Sequence, residues 1–353
     1  MYSSIKPGQK WLDTSGNVIN AHGGGMFYED DTFYWYGENK EKTDGICDIW
    51  TWGIKCYSSK DLYNWEDRGL IVEPNTENKD SILHPNKRMD RPHIIYNEKT
   101  KKYVCWIKFS GDEACFAVLQ SNNLLGPYNI INERIRPFEK KVGDFDLKVD
   151  ETSKIAYLYF DGDHNGVTCA ELTEDYLNVT NSTSRHYENM YPPFTREGVT
   201  IFERNQKIYM VTSGMTGYIP NPSDVAIAQN WHGNFAVQGN PHVNDNSNAS
   251  FNSQISYIFK HPKKKDLYIA MADRWVPDFK MTAEKYDVLM RSIASRFDNK
   301  YSATDEEKAT LQDMPFLKTV NTSLSTYVWL PLRFEGEKLY IDWHNEWTIE
   351  DYE

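Results

Sequence analysis

The stretch DRPHIIYNEKTKKYVCWIK, from Asp90 to Lys108, shows the pattern from which the fold can be inferred. It begins with a charged residue, continues as an apolar run, turns at polar residues and returns as a second apolar run that contains tyrosine. Two such runs around a short polar turn are typical of a β-hairpin. Four more segments have the same form, and they begin at His22, Asp144, Glu197 and Gln254.

The spacing of these five segments indicates a repeat architecture. Their first residues, called lead residues below, are 68, 54, 53 and 57 positions apart. Further strand-like runs, such as FAVLQSNNLLGPYNII at 116–131, follow the hairpins and extend the units to four strands. Four strands in roughly 40–50 residues are the signature of a propeller blade. We therefore predict an all-β fold, a five-bladed β-propeller that spans residues 1–353 as one domain; a β-sandwich would not produce five near-equal periods.

One segment, 281–317, departs from this pattern. Its apolar residues recur at helical spacing, with Tyr286, Leu289 and Phe297 on one predicted face. A second short helix is predicted to begin at Ser302, where Ser302 and Asp305 resemble a capping box. We predict a short helical insertion that follows blade five, after which TYVWLPLRF, from Thr326, returns to strand alternation.

Composition excludes several classes of partner. The chain has 39 Lys and Arg against 51 Asp and Glu, a net charge of −12, which argues against nucleic acid and anionic membranes. No apolar run has the length of a membrane span, and the first residues lack the apolar region of a signal peptide. Five cysteines without C-x-x-C spacing predict free thiols in a reducing compartment, so the expected location is cytoplasmic. The oligomeric state is left open.

The lead residues predict a chemical site. In a propeller the innermost strands begin around one end of the central channel, so the five lead residues are expected to lie close together. Four of the five are Asp, Glu or Gln. Crowded carboxylates shift one another's pKa, and such an arrangement suits general acid and base chemistry. The set therefore predicts a catalytic site at this end of the channel.

Several longer motifs carry a family resemblance. They are AHGGG at 21–25, YWYGE at 34–38, RPHIIYN at 91–97, REGVTIF at 196–202, VTSGMTGYIPN at 211–221, FNSQ at 251–254 and DRW at 273–275. With these motifs the sequence resembles glycoside hydrolase family 43, whose members are five-bladed propellers that cleave glycosidic bonds with inversion. It is most similar to the subgroup that contains exo-β-1,3-galactanases.

The resemblance implies roles for four of the lead residues. Glu197 corresponds to the general acid, and Asp144 to the carboxylate that keeps this acid protonated and oriented. Gln254 corresponds to a residue that positions the attacking water, although a neutral amide is a poor base. Asp90 matches a pocket carboxylate that is usually Glu in the subgroup, and either Asp90 or Arg91 could face the channel. Most of the family has a catalytic Asp where this chain has His22, so the general base is not identified.

Substrate contacts are predicted from the same motifs. Aromatic rings suit stacking on sugar faces, and polar side chains could bind hydroxyl groups. Tyr36 is a candidate for stacking in addition to the aromatic residues named next. The predicted substrate-binding residues are His22, Gly23, Arg91, Tyr218, Asn252, Arg274, Trp275 and Trp329. No ligand cluster of recognisable spacing indicates a metal or another cofactor. Because some members of the family hold a calcium ion in the channel, a structural calcium stays open.

The predicted activity is that of an inverting, exo-acting glycoside hydrolase. Its substrate would be a plant-type galactan or arabinogalactan oligosaccharide, with β-1,3-linked galactose as the terminal sugar. The alternatives within the family are an α-L-arabinofuranosidase, a galactofuranosidase or a β-xylosidase, and the alternative outside catalysis is an inactive sugar-binding propeller. HGGG also occurs in esterases, but the G-x-S-x-G elbow of that chemistry is absent from the sequence.

Overall fold

The computed structural model describes residues 1–310 and 320–353. Twenty strands in this part of the chain form five four-stranded antiparallel sheets, each from strands that follow one another in sequence. Blade one contains β1 (His22–Glu29), β2 (Thr32–Glu38), β3 (Ile54–Ser59) and β4 (Glu66–Val72). Blade two contains β5 (Met89–Asn97), β6 (Lys102–Phe109), β7 (Cys115–Ser121) and β8 (Asn129–Ile135). Blade three contains β9 (Val142–Val149), β10 (Ala156–Gly162), β11 (Val167–Leu172) and β12 (Val179–His186).

The last two blades complete the ring. Blade four contains β13 (Arg196–Arg204), β14 (Lys207–Gly214), β15 (Ser223–Ala228) and β16 (Ala236–Gly239). Blade five contains β17 (Gln254–Lys260), β18 (Tyr268–Arg274), β19 (Thr326–Glu335) and β20 (Lys338–Ile341). The first strands contact one another in the order β1, β5, β9, β13, β17 and back to β1. The predicted five-bladed β-propeller is confirmed, and the lead residues lie at or near the start of its innermost strands.

The core lies between the blades, where the apolar faces of neighbouring sheets meet. Between blades five and one, Trp329 packs on Trp35 with ring centroids 4.6 Å apart, and only 1% of Trp329 is exposed. Tyr36 is equally buried, and its hydroxyl accepts the N–H of Ile94 from blade two. The prediction that Trp329 and Tyr36 stack on sugar was therefore wrong, because both rings are enclosed by core side chains.

The helical insertion interrupts blade five between β18 and β19, whereas the sequence placed it after that blade. It contains α1 (Ala283–Ala294), which is capped by the Thr282 side chain, and α2 (Asp305–Thr310). Residues 311–317 of the predicted insertion lie outside the described residues. Three-residue 3₁₀ turns in the described part of the chain lie at Pro137–Glu139, Thr322–Leu324 and Ile349–Asp351.

Two details of the insertion differ from the prediction. The capping box of α2 is formed by Thr304 and Glu307, whose side chains each accept the other's backbone N–H, at 3.1 and 2.9 Å. Phe297 lies beyond the end of α1 and is 53% exposed. The buried side of α1 instead packs through Leu289 against Ile219. The insertion thus supports the loop between β14 and β15, and none of the helices in 1–310 and 320–353 has the length and apolarity needed to cross a membrane.

Candidate active site

A cavity of about 440 Å³ opens at the end of the channel where the innermost strands begin. All five blades contribute to its lining. Seven of the predicted site residues line it, namely Glu197, Asp144, Asp90, Gln254, Arg91, Tyr218 and Trp275. Five do not line it, namely His22, Gly23, Asn252, Arg274 and Trp329.

In three blades the residue after the lead residue has a left-handed backbone. The φ angles are 59° at Gly23, 48° at Arg91 and 59° at Gly198. At each of these points the pairing of the first two strands shifts register, as a β-bulge does. In blade two the bulge brings both the lead residue and the next residue to the cavity. This resolves the open register of blade two, because Asp90 and Arg91 both line the cavity.

The backbone N–H of each left-handed residue is bound by a carboxylate of the neighbouring blade. Gly23 donates to Asp273 Oδ2 (2.9 Å), Arg91 to Glu38 Oε1 (2.8 Å) and Gly198 to Asp144 Oδ2 (2.9 Å). A Cβ on Gly23 would lie 2.3 Å from Glu38 Oε1, and one on Gly24 would lie 1.9 Å from the Tyr36 carbonyl oxygen. The glycines of AHGGG therefore permit close approach of β1 and β2 within blade one. Gly23 acts through its backbone, so its predicted substrate contact is corrected.

Arg91 is the central cation of the site. It is only 3% exposed, and a left-handed conformation is unusual for a residue with a side chain. Its Nε lies 2.9 Å from Asp144 Oδ1, and its Nη2 donates to Gln254 Oε1 at 2.7 Å. Its Nη1 is buried and has no hydrogen-bond partner among the described residues.

Asp144 is held as a carboxylate. Burial would raise its pKa, but the charges of Arg91 and Lys108 and the hydrogen bonds to Asp144 outweigh burial and lower the pKa. The Lys108 Nζ donates to Asp144 Oδ1 at 2.6 Å, and the Gly198 N–H donates to Oδ2. Asp144 therefore carries its negative charge at neutral pH.

Glu197 has the opposite environment. Burial raises its pKa to about 8, with further contributions from the negative charges of Asp144 and Asp161, while Lys108 and Arg91 oppose the shift. Because of this raised pKa, Glu197 is protonated at neutral pH, beside an ionised carboxylate. Its side chain also lines the cavity. A proton donor of this kind suits the protonation of a leaving group.

The amide of Gln254 is fixed by three neighbours. Its Oε1 accepts from Arg91 Nη2 and, at 3.3 Å, from Trp275 Nε1, while its Nε2 donates to Ser213 Oγ at 2.9 Å. Both acceptor positions of the oxygen are therefore in use, and one N–H remains. In this arrangement Gln254 can orient a water or a hydroxyl group by donating a hydrogen bond.

An aromatic wall surrounds the upper part of the cavity. Trp50 lies 6.4 Å from Tyr218, and Tyr218 lies 5.3 Å from Trp275, measured between ring centroids. The Trp50 Nε1 donates to Asp90 Oδ1 at 2.7 Å, and the Ser110 hydroxyl donates to the other oxygen of Asp90. Flat rings beside hydrogen-bonding carboxylates form the kind of lining that binds a sugar.

His22 lies behind this lining. It is 1% exposed, its Nδ1 is 2.9 Å from Asp273 Oδ1, and its ring stacks on Tyr327 with centroids 4.7 Å apart. Since Asp273 also binds the Gly23 N–H, His22 positions the junction of blades one and five. The prediction that it contacts substrate is corrected for this reason.

Arg274 and Asn252 are engaged in backbone contacts. The Arg274 guanidinium donates to the carbonyl oxygens of Asn252 and Phe251, at 3.2 and 2.9 Å. The Asn252 Nδ2 donates to the Phe279 carbonyl oxygen at 2.8 Å. These donors hold the loop before β17, so the predicted hydroxyl contacts of both residues are corrected.

The sequence did not single out Glu38, Lys108 and His164 as cavity residues. Glu38 is buried in an ion pair with Lys40 (2.8 Å), and its pKa is raised by burial, against the charge of Lys40. His164 lies in the turn between β10 and β11, with its Nδ1 2.5 Å from Asp161 Oδ2. The signal that could have found two of them is strand pairing. Glu38 is paired with the lead residue His22, and Lys108 with Asp90.

Few side-chain ligands for a metal ion lie in the inner channel among the described residues. No group of three His, Cys, Asp or Glu side chains in the described residues could hold a metal. Below the cavity, His93 Nδ1 lies 3.6 Å from Asp146 Oδ1, but the Lys148 ammonium is 3.8 Å from the same carboxylate. One carboxylate that already faces a cation is a poor ligand set for Ca²⁺, which takes six to eight oxygen ligands.

A protonated acid beside an ionised carboxylate in one cavity is typical of enzymes that cleave glycosidic bonds. The sequence profile of glycosyl hydrolases family 43 matches residues 24–293, which is more than half of the chain. The chain belongs to this family. Members of this family are glycoside hydrolases that act with inversion.

Solved structures of this family resemble the whole chain. A family 43 β-1,3-galactosidase is 29% identical, with a TM-score of 0.80 over 100% of this chain, which spans 65% of that protein. A second, solved with galactodeoxynojirimycin, is 26% identical, with a TM-score of 0.77 over 98% of this chain and 100% of the other. An exo-β-1,3-galactanase from Clostridium thermocellum is 26% identical, with a TM-score of 0.74 over 97% of this chain and 66% of that protein. No curated protein sequence matches the chain.

Proposed function

We propose that this protein is an exo-acting β-1,3-galactosidase that releases terminal galactose from galactan or arabinogalactan oligosaccharides with inversion. The observation on which this depends is the pairing of Glu197, whose pKa is raised, with the ionised Asp144 in one cavity. A buried network of Arg91, Asp144 and Gln254 forms the cavity floor, which supports binding of a chain end. The choice of galactose is supported by the two β-1,3-galactosidases at 29% and 26% identity.

The acid step follows from the geometry. Glu197 donates its proton to the glycosidic oxygen as the bond to the anomeric carbon breaks, and the aglycone leaves as a neutral alcohol. The negative charge of Asp144 keeps Glu197 protonated until the sugar is bound. Arg91 and Lys108 in turn keep Asp144 ionised. Asp144 is therefore a positioning residue that acts through Glu197.

The water step takes place on the other face of the sugar. A water attacks the anomeric carbon from the face opposite the leaving group, and the remaining N–H of Gln254 orients it. An amide oxygen that already accepts two hydrogen bonds is not a base, so the proton of the water passes to a carboxylate. Asp90 and Glu38 are the carboxylates that line the cavity besides the acid pair, within the described part of the chain.

Product analysis tests this proposal. Wild-type protein is incubated with β-1,3-galactotriose and, separately, with aryl α-L-arabinofuranoside, galactofuranoside and β-xyloside. We expect galactose to appear one unit at a time, with α-galactose as the first anomer detected by proton NMR, and much lower kcat/KM on the other glycosides.

Each other outcome has a distinct meaning. β-Galactose as the first product would contradict inversion, and faster release of arabinose or xylose would contradict the proposed sugar. If no substrate is turned over while galacto-oligosaccharides still bind, the protein is a sugar-binding propeller. The same assay with Glu197→Gln controls for contaminating activity.

A further inference from the structure

Two cations at the edge of the cavity form no ion pair with any of the described residues. Arg88 precedes β5 and Lys141 precedes β9, so they lie on adjacent blades, and both line the cavity. Within the described ranges, neither has a carboxylate within 4.0 Å. Unpaired cations are unexpected here because the chain has 51 acidic residues against 39 basic ones.

Their sequence neighbours show the contrast. Lys87 forms an ion pair with Glu113 (2.8 Å), and Lys140 with Asp163 (3.4 Å). In each pair of adjacent basic residues, the one that does not line the cavity forms an ion pair, and the one that lines it does not. The two uncompensated charges thus face the substrate entrance.

Arg88 is also held in a defined orientation. Its guanidinium lies over the Trp50 ring, 4.9 Å from the centroid, and the Trp50 Nε1 is fixed by Asp90. On another side its Cδ lies 3.3 Å from the position that a Cβ on Gly111 would take. A guanidinium that is packed in place, with its donors unused, is prepared to bind a planar or tetrahedral anion.

We infer that the cavity entrance between blades two and three binds an anionic group of the substrate, a uronic acid carboxylate or a sulfate ester. The terminal sugar occupies the carboxylate-lined floor, where Asp90, Asp144 and Glu197 lie. The anionic group belongs to the next sugar outward, within reach of Arg88 and Lys141. Placing the anionic group on the sugar that leaves in the reaction rests on the proposed function. The observation that the two cations form no ion pair does not depend on that function.

Kinetics on matched substrates test the inference. The substrates are β-1,3-galactobiose and the same disaccharide with a glucuronic acid or a sulfate on O6 of its reducing-end galactose. We expect the wild-type protein to prefer the acidic substrates. In the double variant Arg88→Gln/Lys141→Gln, the ratio of kcat/KM on acidic to neutral substrate should fall about tenfold, the effect of losing one charge-assisted hydrogen bond. In about 1 M NaCl, where the screening length is about 3 Å, the wild-type preference should shrink.

The control is Lys10→Gln, which removes an exposed charge that does not line the cavity and should leave the ratio unchanged. If the ratio of kcat/KM on acidic to neutral substrate falls in the double variant for the uronate alone or for the sulfate alone, that substrate identifies the anion. If the ratio is the same in wild type and double variant for both acidic substrates, the inference is overturned. Binding of the same sugars to Glu197→Gln, measured by calorimetry, needs no turnover. If no galactoside is cleaved but the acidic sugars bind more tightly in a manner that requires Arg88 and Lys141, the proposed function fails and the anion site stands.

Discussion

Replacement of Glu197 by Gln lowers kcat/KM on β-1,3-galactobiose by about 10³-fold, within the range of about 10² to 10⁴ that general acid catalysis contributes. The amide keeps the size of the side chain but cannot transfer a proton to the glycosidic oxygen. Because Gln is neutral, as Glu197 is when its pKa is near 8, the affinity for the sugar should change little. Steady-state kinetics and calorimetry with galactobiose measure the two quantities.

A galactoside with a dinitrophenolate leaving group separates acid catalysis from structural damage. That leaving group departs without a proton, so Glu197→Gln should retain most of the activity on it. The matched control is Glu203→Gln, at the exposed far end of β13, which should behave as wild type on both substrates. Equal losses on both galactosides would show that Glu197 does not act as the acid.

Replacement of Asp144 by Asn should lower both stability and activity. It leaves Arg91 and Lys108 buried without their counter-ion, and breaking a buried ion pair in this way costs about 3–5 kcal/mol. The pKa of Asp144 is lowered by folding, so its contribution is complete at pH 7 and is lost only as pH falls below the ordinary value near 4. Urea unfolding at pH 7 and pH 3 measures this difference.

The pH profile shows whether Asp144 acts through Glu197. Without the neighbouring carboxylate, and with Lys108 and Arg91 uncompensated, the pKa of Glu197 falls. The acid then loses its proton at lower pH, so the alkaline limb of kcat/KM moves to lower pH by about one unit or more. A purely structural role would lower activity without moving this limb. The double variant Asp144→Asn/Lys108→Met should recover part of the stability because it removes one of the unpaired charges.

The ring of hairpins was predictable from the sequence because each innermost strand pairs with the strand that follows it. The period of lead residues gave the five blades, and the catalytic pair lay among those residues. The position of the helical insertion was harder to predict. It separates the paired strands β18 and β19 of blade five in sequence, and this obscures the repeat period. The alternation of apolar and polar residues along a strand cannot by itself distinguish Trp329, which lies in the core, from an aromatic residue at the cavity.

The cavity lining was harder to predict. His22 was expected to contact substrate because it is a lead residue, but its imidazole is buried and bound to Asp273. Arg91 was ambiguous because its left-handed conformation does not follow from residue type. Lys108 and Glu38 lie opposite lead residues, so a register prediction would have revealed them. Arg88 and Lys141 required knowledge of which charges are already paired.

The proposed acid step depends on the protonation state of Glu197, which a carboxyl titration by carbon NMR measures. The difference between wild-type protein and Glu197→Gln assigns the resonance of the Glu197 side chain. We predict that it titrates with a pKa near 8 and remains protonated at pH 7. A value near the ordinary 4.5 of a glutamate would mean that Asp144 and burial do not hold the acid protonated, and would contradict the account.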